Sequence, residues 1–123
     1  MACVIAAPAS GSGKTLLSLC LIAWARQLGH SIQPFKVGPD YLDPQLLSLA
    51  ANQPCRNLDL PLCGEDWVQL SFNGYGGRCD MAIVEGVMGL FDGIGSSSEG
   101  STADVAVSLG LPVVLVVDAG GQA

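Results

Sequence analysis

Charge is scarce in this sequence. Only 13% of its 123 residues are Asp, Glu, Lys or Arg, and lysine occurs just twice, at positions 14 and 36. With half the residues apolar, the chain has what it needs to build a core, which excludes intrinsic disorder. A net charge of −6 leaves no basic stripe for nucleic acid. Any anion site must therefore be assembled locally from the few cations. Long apolar runs are missing too: none reaches the roughly 18 uncharged residues a membrane helix needs, and the longest candidate, residues 16–25, is too short. No basic segment precedes the apolar Cys3-Val4-Ile5, so no secretory leader is legible. The five cysteines (3, 20, 55, 63, 79) form no C-x-x-C pair and no regular spacing. That pattern points to reduced thiols rather than a disulfide framework or a zinc site. The lone histidine, His30, adjoins Gly29 at an expected helix end and reads as a cap or surface residue. Internal repeats and low-complexity linkers are also lacking. The expectation is a soluble, cytoplasmic protein with one core.

What is present is an alternation of apolar runs and helical patterns. Residues 3–7, 32–37, 80–84 and 112–117 read as four buried strands, although Pro34 suggests a sheet edge or a local irregularity in the second. Residues 14–28 suit a largely buried helix stopped by Gly29. Shorter helices are expected over about 44–52, 64–72 and 102–109. A Gly-rich loop follows the third of these four helices, and a longer Gly/Ser-rich loop spans 86–101. Strands apolar on both faces that alternate with helices predict a parallel α/β sheet with flanking helices.

Three segments carry chemistry. The string PASGSGKT at residues 8–15 has the phosphate-loop form ending in G-K-[ST], set between a strand and a helix, with Pro8 where the first Gly usually stands. Ser10, Gly11, Ser12, Gly13, Lys14 and Thr15 would hold a nucleotide. Backbone N–H groups would face the phosphates, Lys14 would reach the β/γ oxygens, and the Thr15 hydroxyl would bind Mg²⁺. The second segment, KVGPDYLDP at 36–44, leaves the second strand at the edge where open α/β sheets bind ligands. Its Asp40 and Asp43 suit metal, substrate or plain turn chemistry. The third, EGVMGLFDG at 85–93, puts Glu85 directly after a strand, where an acid facing a phosphate loop binds Mg²⁺. Asp118 is a competing acid, ranked second because Glu85 leads into a Gly-rich loop. The glycines at 86, 89 and 93 read as room for a large ligand.

Taken in order, APASGSGKT, QPFKVGPDYLDP, CRNLD, VEGVMGLFDG, GSTADVA and LPVVLVVDA span nearly the whole chain. This series resembles the N-terminal part of the cobyrinate (or hydrogenobyrinate) a,c-diamide synthase family. The resemblance implies a P-loop NTPase fold of the dethiobiotin synthetase/MinD-like type. It implies ATP and Mg²⁺ as cofactors and phosphorylation of the a- and c-acetate carboxylates of a corrin acid. Ammonia from a glutaminase domain would then displace the phosphate, and the parent is a candidate homodimer. It points to Asp40, Tyr41, Leu42, Asp43, Glu85 and Asp92 around the substrate and metal, with Asp40 joining Thr15 and Glu85 as metal ligands. Lys14, Asp40, Asp43 and Glu85 become the expected catalytic set.

Two readings from other classes compete: a ParA/MinD-type partitioning ATPase and a non-catalytic nucleotide-binding module. Ala9 stands where the resemblance places the signature lysine of the partitioning ATPases, which counts against the first, as does the GPDYLDP loop. A glutaminase nucleophile needs a G-x-C-x-G elbow, and none of the five cysteines sits in one. Residues 1–123 are therefore expected to cover the first part of a synthetase domain, cut after four strands. One sheet face would lack its helices, and the piece alone would lack glutamine chemistry and perhaps stability.

Overall fold

The computed structural model describes residues 1–9, 13–38, 42–93 and 100–118. Five parallel strands lie in the order β3-β2-β4-β1-β5: β1 (Ala2–Ala6), β2 (Ile32–Val37), β3 (Arg56–Leu58), β4 (Met81–Glu85) and β5 (Val113–Leu115). The helices are α1 (Lys14–Gln27), α2 (Asp43–Ala51), α3 (Leu60–Cys63), α4 (Glu65–Gly76) and α5 (Thr102–Leu109). The α/β class and parallel sheet expected from the sequence are what the chain forms.

Successive residues of a strand point to opposite faces, and two cores result. Val4, Phe35, Val37, Leu58 and Val84 pack on one face against Val68 of α4 and Val105 and Ala106 of α5. Ile5, Ile32 and Ile83 pack on the other against Ile22 and Ala25 of α1 and Leu47 and Ala51 of α2. Both faces of the central strands are thus covered, contrary to the expectation of one bare face. No helix among the described residues is long and apolar enough to cross a membrane.

Several expectations need correcting. There are five strands, not four: CRNLD supplies the short β3, and LPLC forms α3, with the Asp59 side chain capping the Leu62 N–H at 3.0 Å. The helix expected at 64–72 continues through Gly76, so part of the presumed Gly-rich loop is its last turn. Pro34 lies in an interior strand. It is tolerated because β3 begins only opposite Phe35, so at Pro34 nothing on that side awaits an N–H. The Pro34 carbonyl is satisfied by the Gln33 side-chain amide, which bridges to the Pro54 carbonyl, 2.8 Å to each. Finally, α1 is not largely buried: it sinks Lys14, Ser18, Ile22 and Ala25 and leaves Leu16, Cys20 and Trp24 exposed.

Because all strands run the same way, their C-terminal ends share one edge. Ala7-Pro8, Gly38, Asp59 and Gly86 all leave the sheet there, and the three chemistry-bearing segments converge on it.

Candidate functional site

The site starts from the register of the sheet. Lys36 of β2 is opposite Glu85 of β4, and Glu85 is opposite Ile5 of β1. Opposed residues share a face, so Lys36 and Glu85 both rise toward the α1–α2 side. Each is almost fully buried, at 2% and 0% exposure. A buried charge survives only if paired and hydrogen-bonded, and these two pair at 3.1 Å. The Lys36 ammonium also donates to the Gly86 carbonyl at 3.0 Å and lies 3.4 Å from Asp43 Oδ2 at the start of α2.

Helix α1 enters the same cluster through its first turn. Gly13 precedes it with φ of +88°, a conformation that favours glycine. From that start, Thr15 Oγ1 donates to Glu85 Oε1 at 2.7 Å. The hydroxyl proton is thereby committed to the carboxylate, and the hydroxyl lone pairs stay open to a cation. Glu85 Oε2 is buried and has no hydrogen-bond partner among the described residues. An orphaned carboxylate oxygen beside an oriented hydroxyl is a hard-oxygen donor set, which fits Mg²⁺. No group of three or more His, Cys, Asp or Glu gathers as a metal cage among the described residues. The ion would complete its shell from phosphate oxygens and water, as Mg²⁺ commonly does.

Lys14, only 8% exposed, donates from Nζ to the Met88 carbonyl at 2.8 Å. Burial, aided by the positive charge of Lys36, holds its pKa below the usual lysine value, with Glu85, Asp43 and Asp92 pulling the other way. Met88 is one of two non-glycine residues with positive φ, at +51°. Its loop is pinned from three sides. Leu90 N donates to the Ala7 carbonyl at 2.7 Å, Asp92 Oδ2 accepts from Gly89 N at 2.8 Å, and Val87 N donates to Thr102 Oγ1 at 3.1 Å.

The glycines of this loop do not leave ligand space as expected. A Cβ at Gly86 would lie 2.6 Å from Thr102 Cγ2, and one at Gly89 would lie 2.5 Å from the Pro8 carbonyl. At these positions the chain needs glycine to approach itself.

Of the sequence-predicted site residues, the structure brings together Lys14, Thr15, Asp43, Glu85 and Asp92 at one edge, with Gly13 and Leu42 opening α1 and α2. Ser10, Gly11, Ser12, Asp40 and Tyr41 lie outside the described residues. Asp118 is exposed beyond β5. Sequence reasoning left Lys36 off its site list although it bridges both acids. The available signal was a lysine inside an otherwise apolar strand, since lysine is almost never fully buried without a partner.

A phosphate-loop turn running from β1 into α1, with an acid at the tip of the adjacent strand, defines a nucleotide-binding α/β domain. Within that class, the profile of the CobQ/CobB/MinD/ParA nucleotide binding domain matches residues 3–109, and the chain belongs to that family. Among curated relatives, hydrogenobyrinate a,c-diamide synthase of Mycobacterium tuberculosis is 54% identical over 98% of this chain and 28% of its own length. Cobyrinate a,c-diamide synthase of Syntrophotalea carbinolica is 54% identical over 98% of this chain and 26% of its own. Hydrogenobyrinate a,c-diamide synthase of Streptomyces coelicolor is 52% identical over 97% and 25%. The chain thus spans little more than a quarter of the length of the relatives it matches.

Proposed function

We propose that this chain is the N-terminal part of the ATP-binding synthetase domain of a cobyrinate or hydrogenobyrinate a,c-diamide synthase. Its parent would be a cytoplasmic, glutamine-dependent carbon–nitrogen ligase of cobalamin biosynthesis. The observation that carries the reading is the cluster in which Lys36, Thr15 and Asp43 meet around the buried Glu85 carboxylate, beside the Lys14 ammonium. The names of the relatives favour this reading over a partitioning ATPase.

A carboxylate does not condense with ammonia at neutral pH, because its oxygen is no leaving group. In the proposed sequence a corrin acetate oxygen attacks the γ-phosphorus of ATP, the bond to the β-phosphate oxygen breaks, and ADP departs. Ammonia then adds to the acyl-phosphate carbonyl carbon, loses a proton, and expels inorganic phosphate. The first step brings two anions together, so catalysis is positioning and charge compensation. Lys14 binds the β/γ oxygens in exchange for the Met88 carbonyl. Lys36 holds Glu85 and Asp43 in place and adds a second positive charge. Thr15 and Glu85 would hold Mg²⁺, which would screen the donor phosphate from the attacking carboxylate. Asp40, Tyr41, Leu42, Asp43 and Asp92 would line the corrin acid, and ammonia would come from a glutaminase domain elsewhere in the parent.

The test is an assay of the full-length protein with ATP, Mg²⁺, glutamine and either corrin acid. Formation of the a,c-diamide with two ADP per product is expected. ATP hydrolysis indifferent to both acids would overturn the assignment.

A further inference from the structure

We infer that Asn57 is a positioning residue for the segment that follows β2; the substrate part of this inference rests on the function proposed above. Asn57 is opposite Lys36 in the β3–β2 register, as Lys36 is opposite Glu85. The three therefore form one polar row across adjacent strands on the α1–α2 face. Asn57 differs from the other two in being exposed, and it belongs to neither core. Asparagine is disfavoured in strands, so neither packing nor propensity accounts for it.

Its side chain has a specific task. Asn57 Nδ2 donates to the Gly38 carbonyl at 2.5 Å. Gly38 is the first residue beyond β2, and the chain turns there with φ of +75°. A Cβ at Gly38 would come within 3.0 Å of Val87 Cγ1, in the loop after Glu85. Gly38 therefore has no side chain to hold it, and the Asn57 amide fixes its carbonyl. At the far end of the segment, Asp43 is tied to Lys36. The stretch carrying the proposed substrate residues is thus anchored at one end by β3 through Asn57 and at the other by β2 through Lys36. Asn57 acts through Gly38 and need not touch substrate.

The test uses the full-length protein with Asn57→Ala and with Asn57→Asp, which keeps the shape but removes the donor. Both variants are expected to raise KM for the corrin acid about tenfold, the factor worth roughly one net hydrogen bond. KM for ATP, the glutaminase rate and the thermal midpoint should stay at wild-type values. Hydrogen exchange of the amides of residues 42–45 should be faster in both variants, whatever substrate the protein uses. An unchanged corrin KM, or a fall in midpoint with both KM values rising together, overturns the positioning role. If the wild type amidates no corrin acid, the proposed function fails and exchange alone decides: faster exchange upholds the anchoring role of Asn57, and unchanged exchange overturns it.

Discussion

At the scale of single residues, the two lysines do different work despite lying in one cluster. Lys14 is positioned to exchange a backbone carbonyl for phosphate. Lys14→Ala in the full-length protein is expected to cut amide synthesis by about 10²–10³-fold or more while sparing glutamine hydrolysis, as parallel assays of the two reactions would reveal. Its lowered pKa adds a pH signature. Burial penalises the ammonium, so that cost to stability lasts while Lys14 is charged. It is relieved as pH rises from the lowered folded value toward the unfolded 10.5. Nucleotide affinity should move oppositely, weakening on the alkaline side below the usual lysine range as the charge is lost. Calorimetric titration against pH should show this flank in the wild type and its displacement to higher pH in Lys14→Arg. Lys36 is instead the counter-charge of Glu85. Removing it alone, as Lys36→Met, leaves a buried carboxylate unpaired and should cost about 3–5 kcal/mol. The double variant Lys36→Met/Glu85→Leu should regain much of that stability while staying inactive, because an apolar pair replaces an ion pair at little net cost. Glu85→Gln keeps the shape and should lose activity by orders of magnitude, with only partial rescue by added Mg²⁺. If Glu85→Gln were silent and Asp118→Asn severe, the acid would be the wrong one.

At the scale of elements, the loop from Gly86 to Gly93 couples the parts of the site. It touches Lys14 through Met88, Ala7 through Leu90, and α5 through Thr102. Gly89→Ala places a methyl against the Pro8 carbonyl. Because backbone cannot yield as a flexible side chain can, the loop must lift. Weaker nucleotide binding is expected, with the thermal midpoint lowered only modestly; unchanged nucleotide affinity would show that the loop is not coupled to Lys14. These elements also show what was legible beforehand. β1, β2, β4 and α5 were readable because apolar runs of strand length and an N-cap at Ser101 are local signals. β3 was not: three residues between Pro54 and Pro61 carry no period, and their strand identity comes from pairing with β2. The candidate site was legible as motif strings, which named Lys14, Thr15, Asp43 and Glu85. The bridge by Lys36 and the anchor by Asn57 were not, since both arise from register between strands distant in sequence.

At the scale of the whole molecule, burial is uneven. The central strands are covered on both faces, yet β5 pairs only with β1, and Val113, Val114 and Leu115 are 39%, 42% and 47% exposed. Leu16 and Trp24 add an apolar stripe on α1. An exposed apolar edge strand invites pairing with another chain. Apolar surface left wet forgoes about 25 cal/mol per Å², so a few hundred Å² costs several kcal/mol. Net stability is only about 5–15 kcal/mol for a domain. Residues 1–123 expressed alone should therefore be poorly soluble or molten: they should bind an apolar dye, melt over a broad range, bind ATP weakly and make no amide. The full-length protein should melt sharply. A cooperative transition in residues 1–123 alone, with micromolar ATP affinity, would show instead that the two helix-covered cores suffice, and that the bare β5 edge is a tolerated surface.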